Sequence, residues 1–186
     1  MAQDSRPKED PMSKQFGGAL FDFGDFVAAN RRSPIPITKE NYPTIDYNLV
    51  PEETGAFEGL RFFNEFFGGN VSVVYNATRF ADARIQRWCD CRRLHERTGI
   101  PRERVFRTAT GRDKTAHLLQ ESDTHYGTTV QGDNRLEVLK YSFGKVEHLF
   151  LYCPPDEVVE EERTPEDLAQ VHVVSSWEEI IHVYCR

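Results

Sequence analysis

Long apolar runs are missing from this sequence. No stretch approaches the roughly 20 residues that a membrane-spanning helix needs, so no membrane partner is expected. Cysteine is sparse, four in 186 residues. Cys89, Cys91, Cys153 and Cys185 show neither a disulfide framework nor CxxC spacing. That usage predicts reduced thiols in an intracellular, reducing compartment, with the cytoplasm as the expected address. Positive charge is also in short supply: 23 Lys and Arg stand against 30 Asp and Glu, a net −7. Such a balance argues against broad coating of nucleic acid. The opening MAQDSRPKEDPMSK carries both signs of charge and no apolar core. Neither a secretory signal nor an Arg-rich, acid-poor transit peptide is expected there.

What remains is a chain of 21.5 kDa with a mean hydropathy of −0.59. Its length predicts one domain, 17–186, behind a flexible tail, 1–16. A chain of this size buries about 70% of its unfolded surface and needs no disulfide or metal to fold. Charge is unevenly spread: residues 79–114 hold ten Arg and one Lys against five acids, whereas 153–186 hold nine acids against Arg163 and Arg186. Two readings stay open for this basic middle and acidic end. One is intramolecular balance; the other is a basic helix, 79–97, that docks an acidic or phosphate-bearing partner. Nucleic acid is the weaker form of the second, because only Trp88 offers a stacking surface there. Cys89, Cys91 and His95 lie close in sequence, but residues two apart do not share a helix face, which speaks against zinc.

Strand and helix patterns alternate along the chain. GALFDFGDF (18–26) reads as a buried strand, and the four prolines within 30–55 make that stretch an extended excursion. A helix follows at 56–67, stopped by Gly68-Gly69, then a strand at 70–77 and one long helix over 78–99, with Thr78 as its cap. RVFRT is a short strand, KTAHLLQES a helix, YGTTVQGD a strand, NRLEVLKYSFG a helix and VEHLFLYC a strand. A last strand and helix lie within 166–184. This alternation predicts an α/β fold, a three-layer doubly wound and mostly parallel sheet. Ligands bind such sheets at the carboxyl ends of the strands. There the chain places Asp22 with Asp25, Asn76 with Thr78, Arg112 to Lys114, and Gly132-Asp133.

This order of residues resembles the four motifs of the haloacid dehalogenase-like (HAD) hydrolase superfamily, and within it a divergent, capless member like small plant hydrolases. The similarity runs over roughly 18–182. It is carried further by Arg79-Phe80-Ala81-Asp82, Ile100-Pro101-x-Glu103-Arg104-Val105, Gly111-x-x-Lys114-Thr115 and Asp133-x-Arg135-Leu136-Glu137-x-Leu139. The resemblance implies a HAD-like fold without a cap domain, the excursion 28–55 standing in its place. It also implies Mg²⁺ as cofactor and Asp22 as a nucleophile that forms an aspartyl-phosphate. Lys114 becomes the phosphate-binding lysine, and Asp22 with Asp133 the metal acids.

Two positions depart from the pattern. The acid/base Asp is expected at position 24, which is Gly24; Asp25 follows it and is the displaced candidate. The hydroxyl position falls on Val74 or Tyr75, with Asn76 and Thr78 nearby as substitutes and Arg112 as a further substrate contact. Two functions follow as expectations. The first is a phosphohydrolase acting on a phosphorylated substrate through a degenerate site. The second is a catalytically inactive HAD-fold protein that serves as a binding or assembly subunit. Asp22 and Asp133 also have plainer readings, as a turn former and as a helix cap, and Lys114 as an ordinary solvated lysine.

Overall fold

In the first strand, Ala19 and Phe21 face one apolar layer and Leu20 the other, the period-two alternation of a sheet covered on both sides. The computed structural model describes residues 17–25, 40, 44, 46–75, 79–123, 128–155 and 161–186. The expected tail 1–16, most of the excursion's first half, and Asn76 and Thr78 lie outside the described residues.

Among the described residues, six strands form one sheet: β1 (Gly18–Asp22), β2 (Val71–Tyr75), β3 (Val105–Arg107), β4 (Thr129–Asp133), β5 (His148–Tyr152) and β6 (His172–Val174). Their order is β3-β2-β1-β4-β5-β6 and every pairing is parallel. The α/β fold with a doubly wound parallel sheet, expected from the sequence, is what the chain adopts. Among the described residues, seven α-helices flank the sheet: α1 (Ala56–Phe66), α2 (Arg79–Cys91), α3 (Leu94–Thr98), α4 (Gly111–Asp123), α5 (Leu136–Leu139), α6 (Pro165–Leu168) and α7 (Trp177–Tyr184). One face of the sheet packs on Phe57, Leu60 and Phe63 of α1, Ile85 and Trp88 of α2, Leu94 of α3 and Trp177 of α7. The other packs on Leu118 of α4 and Leu136 and Leu139 of α5.

The structure corrects several boundaries. The first strand ends at Asp22 rather than at residue 26, because residues 23–25 turn into a 3-10 helix. The long helix of 78–99 is two helices. Arg93 sits in the left-handed region (φ 55°, ψ 41°), and Arg92 donates to the carbonyls of Val50, at 2.5 Å, and Asn48, at 3.2 Å. The Trp88 indole N–H also reaches the Val50 carbonyl, at 2.8 Å, so the end of the excursion is tied down where the helix breaks. Helix α4 starts three residues early, at Gly111. Thr110 and Asp113 explain this with a capping box: the Asp113 N–H donates to Thr110 Oγ1 (3.2 Å), and the Thr110 N–H to Asp113 Oδ2 (3.0 Å). Lys114 thereby falls in the first turn.

Candidate functional site

The chain leaves β1 toward β2 and β3 on one side and returns to β4 on the other. The carboxyl ends of β1 and β4 therefore flank the switch point, where a parallel sheet opens a crevice. Asp22 is the last residue of β1 and Asp133 the last of β4, with Phe21 and Gly132 in register just before them. Lys114, from the first turn of α4, reaches between the two. Its Nζ donates to Asp22 Oδ1 at 2.5 Å and to Asp133 Oδ2 at 2.9 Å.

The second oxygen of each carboxylate is used in the same way. Asp22 Oδ2 accepts the Gly24 N–H at 2.8 Å, and Asp133 Oδ1 accepts the Arg135 N–H at 3.0 Å. Each is an Asx turn that bends the chain as it leaves its strand. Both acids thus have the plainer turn-forming role that the sequence offered, and each in addition pairs with Lys114. Lys114 is no solvated lysine: its side chain is 2% exposed, against 1% for Asp133 and 14% for Asp22. Asp22 alone of the three opens to solvent.

Burial works against the Lys114 ammonium, but the charges of Asp22 and Asp133 and their hydrogen bonds outweigh it and hold its pKa above the ordinary lysine value. Asp133 is pushed up to about 7, first by burial and then by the charge of Asp22, against the pull of Lys114. The two shifts agree with a simple count: one cation serves two carboxylates, and the deeper one resists ionisation.

Behind Lys114 runs a buried polar chain. Thr115 Oγ1 and Ser142 Oγ lie 2.5 Å apart, and Ser142 bonds to Gln131 Oε1. It fastens the start of α4 to β4. Arg112, expected at the substrate, is exposed on the first turn of α4. Asp25 closes the 3-10 turn with its backbone; its side chain lies outside the described part, as do Asn76 and Thr78 entirely.

Sequence reasoning missed Asn134. A Cβ built on Gly24 comes within 2.8 Å of Asp22 Oδ2 and 3.2 Å of Asn134 Nδ2, so the Asn134 amide borders the space beside Gly24 and Asp22. Its position directly after Gly132-Asp133 was the available signal. It also missed Glu161, whose two oxygens accept the Leu136 and Glu137 N–H groups at 2.8 and 3.2 Å. No local pattern connects residues 25 apart.

Among the described residues no cluster of three or more His, Cys, Asp or Glu is arranged around a metal. The donor set nevertheless suits Mg²⁺, which takes hard oxygen ligands and is commonly held by one or two carboxylates with water completing its shell. Asp22 and Asp133 each have one oxygen that, among the described residues, meets a backbone N–H and not the ammonium. The basic helix is partly spent internally: Arg97 binds Glu52 through two bonds of 2.7 Å, Arg92 is described above, and Arg93 pairs with Glu96. Among the described residues, no helix is long and apolar enough to cross a membrane. Compared with models of known protein families and with curated proteins, the chain matches none.

Proposed function

We propose that the chain is a HAD-like, Mg²⁺-dependent phosphohydrolase-type domain with a degenerate site, in which Asp22 attacks phosphorus. The observation that carries this reading is the ammonium of Lys114, buried between two carboxylates of which only Asp22 meets solvent. A phosphoryl group arriving at Asp22 meets a fixed positive charge directly behind the attacking carboxylate. Preorganised charge of this kind lowers the barrier for a transferring anion. Asp22 supplies the nucleophile, Lys114 neutralises and orients phosphoryl oxygens, and Asp22 with Asp133 would hold the ion. When bound, Mg²⁺ supplies further neutralisation of those oxygens. Arg112, exposed on the same turn as Lys114, meets the outer part of the substrate, and Asn76 and Thr78 take the role of the missing hydroxyl. Without a side chain at 24, Asp25 is the remaining acid/base candidate, and the rate falls by roughly 10²–10⁴-fold from that of a complete site.

The test is Mg²⁺-dependent hydrolysis of an aryl phosphate by wild type and Asp22→Asn. Slow turnover that requires both the ion and Asp22 is expected. Turnover equal in the two proteins would sink the reading.

A second reading, a catalytically inactive binding or assembly subunit, has an observation of its own. All four carboxylate oxygens of the triad already accept a hydrogen bond, so the triad is complete as a structural ion cluster. In that case no phosphorylated compound reacts at Asp22, and partners dock on the exposed part of the basic helix, where Arg87 is exposed.

A further inference from the structure

We propose that His148 and His172 form a second cation site, at the margin of the sheet, that takes one divalent late transition metal ion: Ni²⁺, Cu²⁺ or Zn²⁺. It is separate in place and in chemistry from the cluster of Asp22, Lys114 and Asp133, and does not depend on how that cluster is read.

Strand pairing brings the two imidazoles together. His172 of β6 lies in register with Phe150 of β5. His148 stands two residues before Phe150 and so shares its face of the sheet. The rings of His148 and His172 are 6.4 Å apart, centre to centre, and within 23° of parallel. An ion bonded to two imidazole nitrogens at about 2.0–2.1 Å holds the ring centres roughly 5–6.5 Å apart, according to the angle at the metal. The observed spacing lies at the wide end of that range, and His172, being exposed, is free to turn inward.

His148 is the fixed member of the pair. It is half-buried, and the Tyr184 ring of α7 meets it edge-on at 5.3 Å. Burial holds its pKa below the ordinary histidine value; the charge of Glu147 pulls the other way, and His172 adds to the lowering. The ring is therefore neutral at neutral pH, the form in which imidazole binds a metal. Tyr184, pushed up to about 12 by burial and then by Cys185 and Glu147, stays a neutral phenol that positions His148. The other described histidines each have a ring nitrogen in a hydrogen bond: His95 with the Ile100 carbonyl, His117 with Ser72, and His182 with Arg186. Among the described residues, no hydrogen bond engages His148 or His172. Their ring nitrogens are left for a ligand.

Two imidazoles suit borderline ions and not Mg²⁺, which takes oxygen ligands. Water completes the shell, so the ion is held more loosely than in a closed site of four protein ligands. Bound there, it ties β6, a strand of three residues, to β5 and clamps the margin against which α7 packs.

The experiment is titration calorimetry of the whole chain with Ni²⁺, in excess Mg²⁺ to fill any oxygen site. Wild type binds one Ni²⁺, and its thermal midpoint rises with the ion. His148→Ala and His172→Ala each lose both the binding and the rise, whereas His182→Ala keeps them. Should His148→Ala fail to fold, His172→Ala decides, because its side chain is exposed and supports no core packing. Binding undiminished in His172→Ala overturns the site, as does a wild type that binds no Ni²⁺ or gives it up to Mg²⁺. Loss of binding in His182→Ala as well overturns the assignment to two histidines. Binding without a rise in the midpoint overturns the clamp between β5 and β6.

Discussion

A lysine side chain that is 2% exposed is tolerable only while both of its partners stay in place. Lys114→Met leaves Asp22 and the buried Asp133 facing each other uncompensated. Breaking such a pair costs about 3–5 kcal/mol, and for a chain of this length a fall in Tm on the order of 10 °C is expected in calorimetry. Adding Asp133→Leu to Lys114→Met removes the stranded charge and recovers part of the loss. The pKa of Asp133 sets a pH test. Its folded value is raised, so the folded state holds the proton more tightly than the unfolded state between the ordinary aspartate range and about 7. Stability from this group is present below that window and is lost as pH rises through it. Denaturant melts of wild type and Asp133→Asn should therefore diverge with rising pH across the window, with wild type losing ground. Asp22, Lys114 and Asp133 were legible in the sequence because each sits where a strand ends or a helix opens, and topology alone brings such positions together. The burial of Lys114 was not legible, since Gly111-Arg112-Asp113-Lys114 reads locally as a polar helix start.

Single helices were harder to read than the sheet. The Thr110–Asp113 capping box was visible as a threonine followed three residues later by an acid, yet the KTAHLLQES pattern drew the helix start to residue 114. Thr110→Ala removes the cap and should cost about 1 kcal/mol in urea denaturation; because the same turn carries Lys114, any Asp22-dependent activity should fall with it. The break between α2 and α3 was illegible: apolar spacing continues through it, from Trp88 to Leu94, and the cause lies in the carbonyls of Asn48 and Val50, about forty residues away. Left-handed backbone costs an L-residue about 1–2 kcal/mol, and among the described residues the Arg93 side chain makes an exposed pair with Glu96, a kind worth little. Arg93→Gly is therefore expected to raise stability by about 1 kcal/mol, read from the urea midpoint.

At the level of the whole molecule, α7 closes the larger apolar layer. Trp177 is fully buried, and its ring lies 5.1 Å from that of Phe21 in the central strand. Gly59 of α1 makes this seat possible, because a Cβ there would stand 2.4 Å from Trp177 Cε3. Gly59→Ala forces the indole outward, an overpacking that typically costs about 1–3 kcal/mol. The emission of the tryptophans should shift to the red well before the sheet melts. This contact joins residues 118 apart and leaves no trace in local pattern, whereas the parallel sheet itself was readable from the alternation of strands and helices.

The sheet ends on both sides in a strand of three residues, β3 and β6. A border that short offers a neighbouring chain very few open backbone groups to copy. Among the described residues, growth of this sheet from molecule to molecule thus finds little to pair with at either margin, and the protein should stay dispersed at concentrations where a longer free margin would seed fibres.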